Sequence, residues 1–471
     1  MSPAADGLPT PRRYWAILAI ALGITMSVLD SSIANVALPT IARDLDASPA
    51  ASIWIVNAYQ VALVISLLPL AALGDLVGYR RVSQVGLALF TLASLACALS
   101  DSLWTLSLSR VLQGFGAAGI MSVNGAIVRF TYPHRMLGRA VGINAMVVSI
   151  AAAAGPTLAA SILAVGHWRW LFGINIPIGL VAIVIANRSL PYNESSGQRL
   201  NPVSVLLNAA TFGLLITGGQ TLTHKGADVF AWAQIAAGAV AGVFLMLHER
   251  RREAPLIPFD LLRIPLFSLS VLTSIASFTG QMLAFVSLPF FLQDTLGFSA
   301  VETGLLMTPW PLAVAVAAPL AGRLADRYPV GVLGSSGLVT FAAGLAALAL
   351  LPAHPSVPDI VWRMALCGLG FGFFQSPNNR ALLGSATRTR AGAAGGMLGM
   401  ARLTGQTTGA LGVALCIHAL PETGFRVSLA LAVAVALLAA AFSGLRLIKR
   451  RIPAPPQTPE ASAAATGEPA E

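Results

Sequence analysis

A chain of 471 residues that is 56% hydrophobic and only 10% charged, with a mean hydropathy of +0.76, is not a soluble globular domain, since such domains carry about 25% charged residues. Its formal charge of +10 does not point to nucleic acid, because Lys occurs only at Lys225 and Lys449 and the arginines fall in alternate loops. Three cysteines, Cys97, Cys367 and Cys416, all lie in apolar stretches and read as packing rather than as a disulfide framework.

Windows of roughly 20 apolar residues give fourteen predicted spans, at 14–38, 52–73, 82–100, 103–128, 137–165, 169–189, 203–222, 229–248, 267–292, 301–322, 330–352, 358–381, 392–419 and 425–447. The first is longer than a signal h-region and lacks a small-residue cleavage site, so it reads as a span. With the N-terminus inside, 22 of the 29 basic residues fall in cytoplasmic segments, as the positive-inside rule demands. Both termini are then expected in the cytoplasm. The tail after Arg451 is rich in Pro, Ala and Glu and is expected to be disordered.

Span 1 is uncharged from Tyr14 to Leu29 and then meets Asp30, within LDSSIANVALP (Leu29 to Pro39). The helix has risen roughly 24 Å by Asp30, still inside a hydrocarbon layer about 30 Å thick. An ionised, unpaired carboxylate is costly there, and intramembrane acids mark proton or ion pathways. The alternative, a helix-end acid reaching interfacial water, fits poorly with the eight uncharged residues that precede Pro39.

Span 2 ends in ALGDLVGYRR, with Asp75, Gly78, Arg80 and Arg81. An acid at a helix end can cap a neighbouring helix N-terminus, and the arginines can pair with it to latch that side; an ordinary orienting loop is the plainer alternative. Span 4 carries Arg110 within LSLSRVLQGFGAA. Arg110 lies roughly 10 Å and Asp30 roughly 13 Å from the same membrane face. A buried Arg needs a partner; an Arg snorkelling outward is the other reading. Span 5 contains AAAAGPTLAA, where Pro156 frees a backbone carbonyl and Gly155 permits close packing. WRWLFGINIPIG then leads into span 6.

After span 10 comes GRLADRYPV, whose Asp326 and Arg327 echo the loop after span 2, with Asp326 lying 251 residues beyond Asp75. Two bundles related by a repeat are a transporter signature, with the substrate site between the halves. The expected architecture is all-α: a six-helix bundle at 14–189, two extra helices and their loops at 190–266, and a second six-helix bundle at 267–447. Residues 1–13 and 448–471 are flanking cytoplasmic segments. Span 12 carries GLGFGFFQSPNNR with Gln375, and span 13 carries GMARLTGQTTGALG, with Arg402 and Gln406 on one helical face. Further amides lie within spans at Asn35, Asn57, Gln60, Gln113, Asn144 and Gln281. Each alone is more often interhelical glue; as a set they suggest a mixed polar and aromatic cavity.

Together these stretches resemble the major facilitator superfamily, and within it the fourteen-span drug/proton antiporter branch. The resemblance covers nearly the whole chain. It rests on the span-1 motif, the loop after span 2 and its second-half copy, the Arg110–Gln113–Gly114 pattern of span 4, and the Gly155–Pro156 run. Departures are Ala71 for a Gly, Leu76 for an Arg and Pro329 for a Gly. The resemblance implies the major facilitator fold and spans 1 and 4 lining a central cavity. It implies a monomeric, proton-coupled antiporter in the bacterial inner membrane, exporting amphipathic toxic compounds, with lipophilic cations as one class. On that reading Asp30 and Arg110 couple the proton, while Asp75, Gly78, Arg80, Arg81, Gly155, Pro156, Asp326 and Arg327 gate. Asn35, Asn57, Gln60, Gln113, Asn144, Gln281, Gln375, Arg402 and Gln406 are cavity candidates. Export of an endogenous metabolite or self-made antibiotic is an alternative, as is a non-transporting membrane sensor.

No Gly-x4-Gly-Lys-Ser/Thr pattern occurs, so ATP is not the expected energy source. The six His lie in loops or span ends and no nucleophile–base pair stands out, so neither a cofactor, a metal nor an enzymatic activity is expected.

Overall fold

The computed structural model describes residues 7–448, apart from 53, 194–199, 226–227, 251–255, 257, 353, 388–389 and 421–422; at 35, 36, 39, 49, 50, 156, 223–225, 294, 300, 301, 414, 418 and 448 it describes the backbone alone. Fourteen long helices run through it. They are Arg12–Asp44 (α1), Trp54–Val77 (α2), Tyr79–Ala98 (α3), Leu103–Thr131 (α4), Leu137–Val165 (α5), Asn175–Ser189 (α6), Pro202–Lys225 (α7) and Val229–Glu249 (α8). Then follow Pro265–Phe290 (α9), Pro309–Ala325 (α10), Val330–Ala349 (α11), Val357–Ser385 (α12), Ala391–Ala419 (α13) and Gly424–Ile448 (α14). A helix suits a bilayer because it satisfies its own backbone N–H and C=O groups within the segment, where hydrocarbon offers no water to do so.

Among the described residues, thirteen of these helices are long and apolar enough to cross a membrane. The fourteenth predicted span is α13, 29 residues long. It falls short in apolarity and not in length, because Arg402, Thr404, Gln406, Thr407 and Thr408 interrupt it. Helix α1 also runs beyond its predicted end at Leu38 to Asp44. The extension is held from outside the helix: the Trp168 indole N–H donates to Asp44 Oδ2 at 2.7 Å.

The packing follows the repeat. Helix α4 lies against α2 and α3, and α1 against α5 and α6; correspondingly α12 lies against α10 and α11, and α9 against α13 and α14. Glycines set the crossings. A Cβ on Gly116 would sit 2.5 Å from the Phe90 amide nitrogen, and one on Gly86 2.9 Å from the Gly116 carbonyl. In the second half Gly370 meets the Phe341 amide and Gly337 meets the Gly370 carbonyl. Gly114 likewise abuts Tyr59 and Ala62, as Gly368 abuts Trp310 and Ala313. Lipid gives helices no hydrophobic reason to associate, so close backbone approach at small residues supplies the contact. The outer faces stay apolar, as with Leu108 on α4, Val184 on α6 and Phe244 on α8, all exposed.

The two sets of helices meet along two seams, α5 with α10 and α2 with α13. The hairpin of α7 and α8 flanks the second seam: α7 touches both α2 and α13, and the Asn208 amide donates to the Ile65 carbonyl at 2.7 Å. An apolar cluster closes the arginine-rich end, joining Val128 of α4, Tyr132 just beyond it and Val141 of α5 to Leu382 of α12 and Ala394 and Met397 of α13.

A side chain at a crossing has nowhere to go. Gly370→Leu should lower the thermal unfolding midpoint of the detergent-purified protein, with a loss of about 1–3 kcal/mol or more. The same substitution at Gly219, which a Cβ would leave clear of all neighbours, should change it little.

Candidate functional site

Two polar assemblies stand behind one another in the middle of the molecule. The inner one gathers around Asp30. The first helix brings Asp30, and α4 brings Arg110 and Gln113 one turn apart on one face. Asn175 begins α6, and α3 adds Ser94 and Cys97. Asp30 and Arg110 form an ion pair, Arg110 Nη1 to Asp30 Oδ2. Asp30 Oδ1 accepts from Gln113 Nε2 at 2.8 Å and from Asn175 Nδ2 at 3.1 Å. Arg110 also donates from Nη1 to Gln113 Oε1 at 2.7 Å and from Nε to the Ile55 carbonyl at 3.1 Å. Gln113 Nε2 donates further to Ser94 Oγ at 2.9 Å. The guanidinium lies 4.3 Å from the Tyr59 ring centre, within cation–π range. Asp30 is 1% exposed, and Arg110 and Gln113 are fully buried. Arg110 Nη2 is buried without a partner.

The outer assembly is a cavity of about 450 Å³ between the two halves, lined by α1, α2, α4, α5, α7, α9, α12 and α13. That size suits a drug-sized ligand. Of the predicted cavity residues, Gln60, Asn144, Gln375, Arg402 and Gln406 line it. Three do not. Gln113 is locked to Asp30 and Arg110 behind the wall. Asn57 stands nearer the start of α2 than Tyr59, the first residue of that helix to reach the cavity. Gln281 lies between the lining residues Phe278 and Met282 in sequence, and at about 100° per residue it turns onto the adjoining face. The Asn35 side chain falls outside the described residues. Asp30 itself is absent from the lining, although Ser27, Ser31 and Ser32 beside it on α1 are present. Tyr59 belongs to both assemblies. It lines the cavity, packs on Arg110, and donates from its hydroxyl to the Ser27 carbonyl at 3.1 Å.

At the arginine-rich end each repeat loop reaches across a seam. Asp75 Oδ1 accepts from the Gly392 amide at 3.1 Å, at the N-terminus of α13. Asp326 accepts from the amides of Gly138 at 2.9 Å and Arg139 at 3.1 Å, at the N-terminus of α5. Each acid therefore sits where a helix dipole and free N–H groups favour negative charge. The arginines behave differently from expectation. Arg80 and Arg81 leave Asp75 alone: Arg80 bonds the Asn187 carbonyl and stacks on Tyr192, 4.2 Å from the ring centre, while Arg81 reaches back to Val77 O at 3.5 Å. Tyr79 takes their place, donating to Asp75 at 2.6 Å. In the second half Arg380 pairs with Asp326 at 3.0 Å, and Arg327 is exposed. Gly78, with φ of 103°, makes the turn between α2 and α3, a conformation that favours Gly. On α5, a Cβ on Gly155 would lie 2.5 Å from Ser32 Cβ, so this Gly lets α5 close against α1 beside the cavity. The Pro156 side chain lies outside the described residues.

Sequence reasoning missed Tyr59, Asn175 and Tyr79. Their types are ordinary in apolar helices, and only the groups they meet give them meaning. Among the described residues no cluster of three His, Cys, Asp or Glu is placed to hold a metal.

Two repeated helical sets around a central cavity, with a buried ion pair one layer behind its wall, define a membrane transporter. The chain belongs to the Major Facilitator Superfamily, whose sequence profile matches residues 20–410 and 271–469. It is 55% identical over 449 residues to the uncharacterized transporter YebQ of Escherichia coli (strain K12), covering 95% of this chain and 98% of that one. It is 31% identical to the riboflavin transporter RibZ of Clostridioides difficile (strain 630), covering 83% of this chain and 85% of that protein. It is also 31% identical to the multidrug resistance protein Stp of Mycobacterium tuberculosis (strain CDC 1551 / Oshkosh), covering 83% of this chain and 74% of that one. Members of this family are transporters, not enzymes.

Removing one member of a buried ion pair strands the other. Arg110→Ala should destabilise the protein by about 3–5 kcal/mol. Adding Asp30→Asn should restore part of that loss, because the stranded charge is gone. Thermal unfolding of the three variants in detergent checks the non-additivity.

Proposed function

We propose that this protein is a proton-coupled antiporter of the bacterial inner membrane that exports amphipathic organic compounds by alternating access. The observation that carries the reading is the placement of Asp30, enclosed and paired with Arg110, whose guanidinium packs on the cavity-lining Tyr59. A proton and Arg110 compete to compensate the same carboxylate charge. Displacing Tyr59 and Arg110 opens Asp30 to the cavity, where it takes a proton from one side. Restoring the pair expels that proton toward the other. The bundles rock about the midplane cavity, and the Asp75 and Asp326 caps hold one end shut between strokes.

The excess of arginine at the capped end supports its assignment to the cytoplasm, with both termini on that side. In the conformation described, the capped end is closed by the apolar cluster that joins the halves. Similarity to Stp supports a drug as cargo. Similarity to RibZ supports the second reading, an endogenous metabolite. A susceptibility screen in cells lacking their own pumps separates the two, with protection expected only for a drug exporter.

Asp30→Asn keeps the shape of the protonated acid and removes its titration. In proteoliposomes with an imposed pH gradient, this variant should lose gradient-driven efflux while still folding. Wild-type rates would refute the proton role.

Orientation has its own test, in a Cys416→Ala background that leaves only the buried Cys97 and Cys367. A membrane-impermeant maleimide added to intact cells should label Asp101→Cys and spare Arg327→Cys. The reverse pattern would invert the topology.

A further inference from the structure

Among the described residues that line the cavity, Arg402 is the one charged side chain, and none is Asp or Glu. Its guanidinium lies 5.8 Å from the Phe278 ring centre, and its Nε is buried without a hydrogen-bond partner. Other intramembrane arginines are compensated: Arg110 by Asp30, Arg363 by Asp359 one turn away, and Arg380 by Asp326. Arg446 also lacks an acid, but it is boxed in by Asn378 Oδ1 and the Leu269 carbonyl, away from the cavity. Among the described residues Arg402 alone combines an unanswered charge with access to the cavity.

A desolvated guanidinium without a counter-charge is costly. A ligand that brings an anionic oxygen answers it, because the planar fork of donors matches a carboxylate. A cationic ligand meets like charge in a chamber of low dielectric, with no lining carboxylate to offset the repulsion. The rest of the wall suits the remainder of such a molecule. Phe278, Met282 and Leu403 offer apolar and aromatic surface, while Gln375 and Gln406 supply amide hydrogen bonds.

We propose that the cavity takes an amphipathic organic anion, an apolar ring system bearing a carboxylate, and that Arg402 pairs with that carboxylate. This rests on reading the cavity as the substrate site. It narrows the cargo away from the lipophilic cations that the motif resemblance allowed. Arg402 thereby selects by charge while Asp30, behind the wall, is kept for the proton.

The test uses the full-length protein in detergent and three fluorescent probes with one ring system and three charges: 1-pyrenebutyrate, 1-pyrenebutanol and 1-pyrenebutylammonium. Fluorescence anisotropy should show the butyrate binding about tenfold or more tightly than either analogue, the scale of one charge-assisted pair. Arg402→Gln should keep the alcohol and lose the preference for the butyrate, and Arg402→Lys should retain part of it. Should Arg402→Gln fail to fold, the ranking of the three probes on the wild type decides alone. Equal or tighter binding of the ammonium probe, an unchanged preference in Arg402→Gln, or binding of none of the three overturns the proposal. No gradient is needed, so the outcome is independent of proton coupling. Cation preference with intact gradient-driven efflux removes the anion alone, and anion preference without gradient-driven flux removes the coupling alone.

Discussion

A carboxylate in hydrocarbon must be compensated, and the first half of this protein is arranged around meeting that demand at Asp30. One acid draws together side chains from α1, α4 and α6, with α3 attached through Ser94 and Gln113. Arg110 supplies the charge, Gln113 and Asn175 fill the remaining oxygen, and the Tyr59 face covers the guanidinium. Leaving any of these groups unpaired in a dry interior would cost more than the pairing gains in water. The cluster is therefore a structural hub of the first half.

At the matching crossing the second half solves the same packing problem without charge. The glycine crossings bring Trp310 to the place of Tyr59, as Gly368 meets Trp310 in the way that Gly114 meets Tyr59. There Trp310 packs edge-on to Phe341 and Phe285, and Phe341 edge-on to Phe371. Met364 and Cys367, on the facing side of α12, are fully buried. Such aromatic pairs contribute about 0.5–1.5 kcal/mol beyond area burial and respond to no proton. At this crossing a single duplicated framework thus holds a buried ion pair in one half and a stack of aromatic rings in the other, and the halves meet at a cavity to which both contribute.

Much of this was legible in the sequence because charge inside an apolar run is rare. Asp30 and Arg110 declared themselves by depth alone, and their pairing follows from it. The capping acids could be read from the repeated loop, since a duplicated Asp at a span end needs a duplicated partner. What stayed hidden depends on helical phase and on neighbours remote in sequence. Asn57, Gln113 and Gln281 resemble Gln60 and Gln406 in type, yet only the latter two turn into the cavity. Tyr59, Asn175 and Tyr79 take their roles from groups on other helices. Helix α13 blurred the span count for a related reason: the polar residues that make it a cavity wall also dilute its apolarity.

The two caps are exchanged between the halves: Asp75 on α2 terminates α13, and Asp326 beyond α10 terminates α5. Each half therefore holds the other's helix start, and parting the halves releases both grips together. What is uncovered is the apolar cluster that joins the halves at this end, together with two carboxylates and the leading amides of two helices, polar groups that water solvates well. For the caps themselves, separation trades internal hydrogen bonds for hydration at little net cost; the apolar cluster is what opposes it. The polar grips are thus cheap to break and remake, and a ligand or ion that favours the parted form has chiefly the apolar cluster to work against.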